Sequence, residues 1–300
     1  MEGRLSGIDW STPWFAPWRE PGEAAARLAE GGRPVHAALN QAALGQLAGL
    51  APAGHEAQGH GTAPWPGQAA VRFVPQQALA PGEPYEGHVF RTGECPTRDN
   101  LHDFFNGLVW LRLPRAKRRL NALHQAQIEA ATRQAASHPQ AGVVRGPVRD
   151  AMTLFDENGA LLDAPAPLWE ALLARRWDRL FVHLRPLWAQ ARLLVFGHAL
   201  LEKLVAPRKD LTAHVWRVPV PPAHAQGWGQ GADDWLAGQF DAALLASKPF
   251  TPLPVMGLPG WCQANEDPAY YADAAVFRPP RAKAVGPGQA ANPLARSDIA

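Results

Sequence analysis

Residues 96–135 read PTRDNLHDFFNGLVWLRLPRAKRRLNALHQAQIEAATRQA, the most strongly patterned stretch of a 300-residue chain. Leu101, Phe104, Phe105, Leu108 and Leu111 recur at three- and four-residue spacing, the period of one helix face. Thr97 or Asp99 stands ahead of that run as an N-cap. Pro114 ends it, because the residue before a proline avoids helical backbone, and a second helix is expected from about Arg115 to Ala136. Two long helices in series make the expected fold class α+β, a helix-dominated single domain.

Outward from this centre the signals are shorter. On the N-terminal side, Pro84 to Thr92 reads as a short helix stopped by Gly93, and Ala70 to Pro75 as an edge strand. Val35 to Leu50 reads as a helix, and Ala51 to Gln68 as a loop rich in Gly, Pro and His. The first twenty residues hold Trp10, Trp14, Phe15 and Trp18 among prolines, which predicts an extended arm clamped on the domain. On the C-terminal side, RDAMTLFDENGALLDA (149–164) reads as a small antiparallel hairpin turning at Asn158-Gly159. Pro167 to Val205 reads as a helical run broken at Pro186, and Asp233 to Ala246 as one amphipathic helix. Residues 249–261, PFTPLPVMGLPGW, form an extended proline-rich connection. The expected organisation is one domain over 1–280, with 1–20 as the arm and 281–300 as a disordered tail.

Composition narrows the class of protein. Hydrophobic residues make up 47% of the chain and charged residues 19%, so the chain is built to bury a core. A net charge of +2 argues against general attraction to nucleic acid or anionic membranes. Cys95 and Cys262 are far apart and make no disulfide framework. The first residues lack the apolar run of a signal peptide, and the longest apolar stretch, Leu193 to Leu201, is interrupted by Gly197 and His198. A cytoplasmic protein with no membrane association is expected.

Three constellations carry chemistry. His198 and Glu202 lie four apart on one helix face, and His214 follows twelve residues later. Two imidazoles and a carboxylate with an open position form a common catalytic set for a divalent metal such as zinc. His102, Asp103 and Asn106 border the Phe104/Leu108 stripe, as polar groups lining a cleft would, or as ordinary capping and boundary residues. Arg115 and Lys117 sit where a helix N-terminus disfavours cations, so a bound anion or a neighbouring carboxylate (Asp150, Asp156 or Glu157) should answer them. Asp156 and Glu157 themselves read as turn chemistry, on opposite sides of an extended strand. The glycine-rich phosphate loops, the Gly-x-Ser-x-Gly elbow and His-Glu-x-x-His are all missing.

The strings PTRDNLHDFFNGLVWL, RDAMTLFDENGALL, FGHALLEKL, LTAH and PLPVMGLPGW, in this order between Tyr85 and Phe277, resemble a proteobacterial family catalogued as Domain of Unknown Function three-zero-two-five. The resemblance implies no activity, so function rests on the residues. Two classes stay open. One is a metal-dependent hydrolase of a phosphorylated or otherwise anionic small molecule. In it His198, Glu202 and His214 are ligands, His102 or Asp103 is the general base with Asn106 beside them, and Arg115 and Lys117 hold the anion. The other is a non-enzymatic binding or scaffold protein whose Arg115/Lys117 face docks an acidic partner or RNA.

Overall fold

The computed structural model describes residues 5–50, 71–137, 146–218, 228 and 230–279. The expected loop at 51–68 and tail at 281–300 lie outside these residues. The patterned centre folds as the sequence indicates. Helix α4 spans Leu101–Arg112 and α5 spans Pro114–Ser137, with Leu113 between them. The cap is neither Thr97 nor Asp99: Asn100 accepts from the Asp103 amide at 2.8 Å. Asp99 instead accepts from the amide of Val35, the first residue of helix α2 (Val35–Leu50). Phe104, Phe105, Leu108 and Val109 of α4 are fully buried.

Ahead of α2, the tryptophan-rich segment is not extended. Two short 3-10 turns, Leu5–Gly7 and Ala16–Trp18, lead into helix α1 (Arg19–Glu30). These turns seat Trp14, Phe15 and Trp18 in the interior, where Phe15 stacks on Phe105 with centroids 5.5 Å apart. Strand β1 (Arg72–Pro75), helix α3 (Tyr85–Thr92) and strand β2 (Glu94–Thr97) follow. Gly93 ends α3 at φ 68°, a left-handed conformation that glycine adopts without strain. β1 and β2 form a two-stranded parallel ribbon.

The hairpin expected at 149–164 is corrected. Helix α6 runs Pro147–Asn158 and strand β3 runs Gly159–Asp163, so Asn158-Gly159 is a helix-to-strand junction. Ala151, Met152 and Phe155, all fully buried, sit at helical spacing and put this segment on one core-facing stripe. β3 does have an antiparallel partner, but it is β4 (Arg192–Val195), which lies inside the stretch expected to be helical. That stretch divides into α7 (Ala166–Leu173), a π turn Arg179–His183, a 3-10 turn Arg185–Gln190, β4, and helix α8 (His198–Lys203). A four-residue segment with three apolar residues has no period of its own, and only pairing with β3 makes it a strand.

β5 (Thr212–Arg217) lies parallel to β3 on its other side, and β6 (Thr251–Pro254) closes the sheet against β5. The sheet order is therefore β4-β3-β5-β6. The single helix expected over 233–246 is two, α9 (Gln230–Gln239) and α10 (Ala242–Ala246), separated at Phe240 and restarted by the Asp241 cap. The fold class stands as α+β with helix dominant, its strands forming two small sheets in place of a hairpin. No helix among the described residues is long and apolar enough to cross a membrane.

Candidate metal centre

Helix α8 packs on both α4 and α6, and α5 packs on α6. Three helix ends are thereby brought together, and with them the two histidine constellations of the sequence. His102 lies in the first turn of α4, His198 opens α8, and Glu157 lies in the last turn of α6. The two imidazoles meet edge to face, with ring centroids 4.5 Å apart and Nε2 atoms 3.0 Å apart. Glu157 Oε1 stands 3.7 Å from His198 Nε2. One donor atom from each of His102, Glu157 and His198 lies within 4.8 Å of the other two.

The far sides of the rings face carboxylates. Glu202, one turn after His198, accepts from His102 Nδ1 at 2.9 Å. This fixes the His102 tautomer and leaves its Nε2 as the acceptor of the 3.0 Å hydrogen bond from His198 Nε2. His198 Nδ1 is buried without a hydrogen bond, 3.9 Å from Asp156 Oδ2. Asp156 Oδ1 in turn accepts from Lys117 Nζ at 2.5 Å. Lys117 is only 5% exposed and lies under the rings of Trp110 and Phe196.

Burial sets the protonation states here. It pushes His198 down to about 4, so the ring is neutral near pH 7 with a lone pair to offer. Burial raises Glu157, and the charge of Asp156 beside it adds to that. Burial also works to raise Asp156, but Lys117 and His198 outweigh it and hold that carboxyl below its usual value. The cluster thus gathers three carboxylates (Asp156, Glu157 and Glu202) around a single buried ammonium. The carboxylates outnumber the buried ammonium, an acidic setting that suits a bound cation.

His102, Glu157 and His198 open into a cleft of about 310 Å³, whose wall also includes Tyr85, Arg98, Asp103 and Asn106. Asn106 donates to the Tyr85 hydroxyl at 3.1 Å, and its Oδ1 is buried without a partner. Asp103 is not placed to act as a base. It accepts from the Arg98 amide, Nε and Nη2 at 2.6, 3.0 and 2.9 Å.

The expected metal set of His198, Glu202 and His214 is therefore revised. Glu202 reaches the outer nitrogen of His102 and not the converging face. His214 sits mid-strand in β5, opposite Gly159 and Pro252, and is not part of the His102–Glu157–His198 cluster. The assignment of Asp156 and Glu157 to a strand turn fails for the same reason as the hairpin: both occupy the last turn of a helix. Their signal in the sequence was the helical spacing of Ala151, Met152 and Phe155 just before them.

The cations at the start of α5 are answered by carboxylates and not by a free anion site. Asp233 accepts from the Arg115 and Ala116 amides at 3.0 and 2.8 Å, capping the helix, and Asp234 pairs with the Arg115 guanidinium. Lys117 is buried on Asp156. A docking face built on Arg115 and Lys117 thus has both charges already engaged.

Cys95 is buried next to the wall residue Tyr85, with Sγ 3.0 Å from its hydroxyl. Burial pushes its thiol up to about 11, with Tyr85 and Lys117 pulling the other way. Thiolate, not thiol, is the nucleophile. In folded protein at pH 8, iodoacetamide is expected to alkylate the half-buried Cys262 and spare Cys95 until denaturant is added. Peptide mapping that finds Cys95 modified as fast as Cys262 contradicts this.

A helix-rich α+β chain carrying two histidines and a glutamate at one cleft is the class that fold and site define. The chain belongs to the family described as "Protein of unknown function (DUF3025)", which matches residues 71–281 and so includes the whole cluster. Comparison with curated proteins and with solved structures finds no match.

Proposed function

We propose that this chain is a cytoplasmic hydrolase that uses one divalent metal ion, bound by His102, Glu157 and His198, to act on an anionic substrate of the phosphoester type. The observation that carries the reading is the convergence of the two Nε2 atoms and a Glu157 oxygen on one point at the wall of a cleft. Two imidazoles held at about 2.0–2.1 Å from a tetrahedral ion lie slightly more than 3 Å apart, close to the spacing found here. For both Nε2 atoms to bind, both rings carry their proton on Nδ1. Glu202 accepts that proton from His102, and Asp156 is the acceptor facing His198. When bound, the ion supplies a water of lowered pKa as nucleophile and polarises the substrate oxygen. The chain's own residues hold the ligands and keep His198 neutral.

Elemental analysis of untagged protein tests the reading. Zinc, manganese or iron near one equivalent per chain is expected, lost in both His102→Ala and His198→Ala, with hydrolysis of p-nitrophenyl phosphate or its diester lost alongside. A protein that takes up no divalent ion, or a His198→Ala variant that keeps it, overturns the centre. Metal retained with neither ester cleaved overturns the hydrolase assignment.

A further inference from the structure

We propose that Arg98 is the group that receives the substrate anion in this cleft, and that it does so only after the metal is in place. The proposal rests on the metal-centre reading above and names the anion site of that same cleft. Among the described residues lining the cleft, Arg98 is the one lysine or arginine. Its guanidinium is held along one edge: Nε and Nη2 donate to the two oxygens of Asp103 at 3.0 and 2.9 Å. Asp103 is itself fixed, its side chain only 10% exposed and its Oδ2 also accepting the Arg98 amide at 2.6 Å. The Nη1 end of the fork has no hydrogen bond among the described residues, and the side chain is 57% exposed.

An arginine clamped on one edge and open on the other is preorganised for a second, planar anion contact. The ordering costs that weaken a floppy side chain's contact have been met by Asp103. The metal requirement follows from the charges around it. Glu157, Glu202 and Asp156 surround the two histidines, and an oxyanion approaching them meets net negative charge. A divalent ion on His102, Glu157 and His198 cancels that surplus and provides the second attachment point for the same anion. Oxyanion chemistry shared by a phosphate ester and a free phosphate is what such a pair recognises.

The experiment is calorimetric titration of inorganic phosphate into the full-length protein, with and without zinc, for wild type, Arg98→Gln and Arg98→Lys. Zinc content and thermal unfolding are measured on each sample. Wild type is expected to bind phosphate in the zinc-loaded form only. Arg98→Gln should keep its zinc and weaken phosphate about 10-fold or more, the scale of charge-assisted hydrogen bonds. Arg98→Lys should fall between, since an ammonium keeps the charge and loses the fork. Phosphate binding that is equal in zinc-loaded wild type and Arg98→Gln overturns the proposal while leaving the metal centre standing. Binding of phosphate to zinc-free protein overturns the metal requirement. Failure of wild type to take up zinc overturns both the proposal and the reading beneath it.

Discussion

Lys117→Met is expected to cost about 3–5 kcal/mol of folding stability, the scale for removing one partner of a buried ion pair. The residue is 5% exposed and, among the described residues, Asp156 is the one carboxylate within salt-bridge distance of its ammonium. Methionine fills the same channel between Trp110 and Phe196, so the loss of packing is small and the loss of charge dominates. What remains is a carboxylate with no cation, on the helix turn that also carries Glu157. Only the smaller pulls of His198 and His124 then oppose burial, and Asp156 is pushed up towards taking a proton. The double variant Lys117→Met/Asp156→Leu should recover most of the stability, because an apolar pair replaces the ions without leaving either alone. It should not recover metal binding, since the carboxylate facing His198 Nδ1 is then gone. Urea denaturation of the two variants checks this; a single-variant loss under about 1 kcal/mol would show the pair to be as weak as a surface one.

Gly197→Ala is the second large effect. A Cβ built on Gly197 stands 2.5 Å from the Asn158 amide nitrogen, 2.5 Å from the Glu157 carbonyl oxygen and 2.6 Å from Asn158 Cα. All three are backbone atoms, so no side chain can turn aside. The amides of Phe196 and Gly197 both donate to the Gly159 carbonyl, at 2.9 and 2.8 Å, and these bonds hold the α8 entrance against the α6 exit. Making room for one methyl separates the two segments, which are the ones that bring His198 to Glu157. Overpacking of this kind costs about 1–3 kcal/mol. The more telling readout is metal content, expected to fall sharply in a protein that still folds. An alanine variant with wild-type stability and full metal occupancy would show that the close approach is not needed.

How much of this was legible beforehand follows from which signals are local. The break between α4 and α5 at Pro114, Gly93 after α3 and the span of α2 are fixed by residues within a turn of the feature, and they read correctly. β4 did not read correctly, because RLLV becomes a strand only through β3, thirty residues away. The site divides in the same way. The i, i+4 spacing of His198 and Glu202 and the polar edge of α4 were visible, and both line the cluster. That the two meet across 96 residues was not visible. Glu157 was set aside for a concrete reason: an Asn-Gly pair carries the strongest short-range hairpin signal, and it outweighed the helical period that the core enforces. Of the two cations expected to hold an anion, Arg115 is engaged by Asp233 and Asp234, which lie more than a hundred residues further on, and Lys117 by Asp156, one of the carboxylates the sequence offered as the alternative.

The stacking of Phe15 on Phe105 bears on where this protein's unit of folding begins. The family match starts at residue 71, yet Ile8, Trp14, Phe15, Trp18, Val35 and Leu39 share one hydrophobic core with α4. Leu39 approaches Gly107 so closely that a Cβ there would stand 2.3 Å from its Cδ1. A polypeptide cut to residues 71–281 would present Phe104, Phe105 and Leu108 to water as a contiguous apolar face, the kind that drives association. The segment recognised by sequence kinship is therefore smaller than the hydrophobic core it belongs to. Any truncation meant to isolate the cleft has to keep the N-terminal tryptophans that lie behind it.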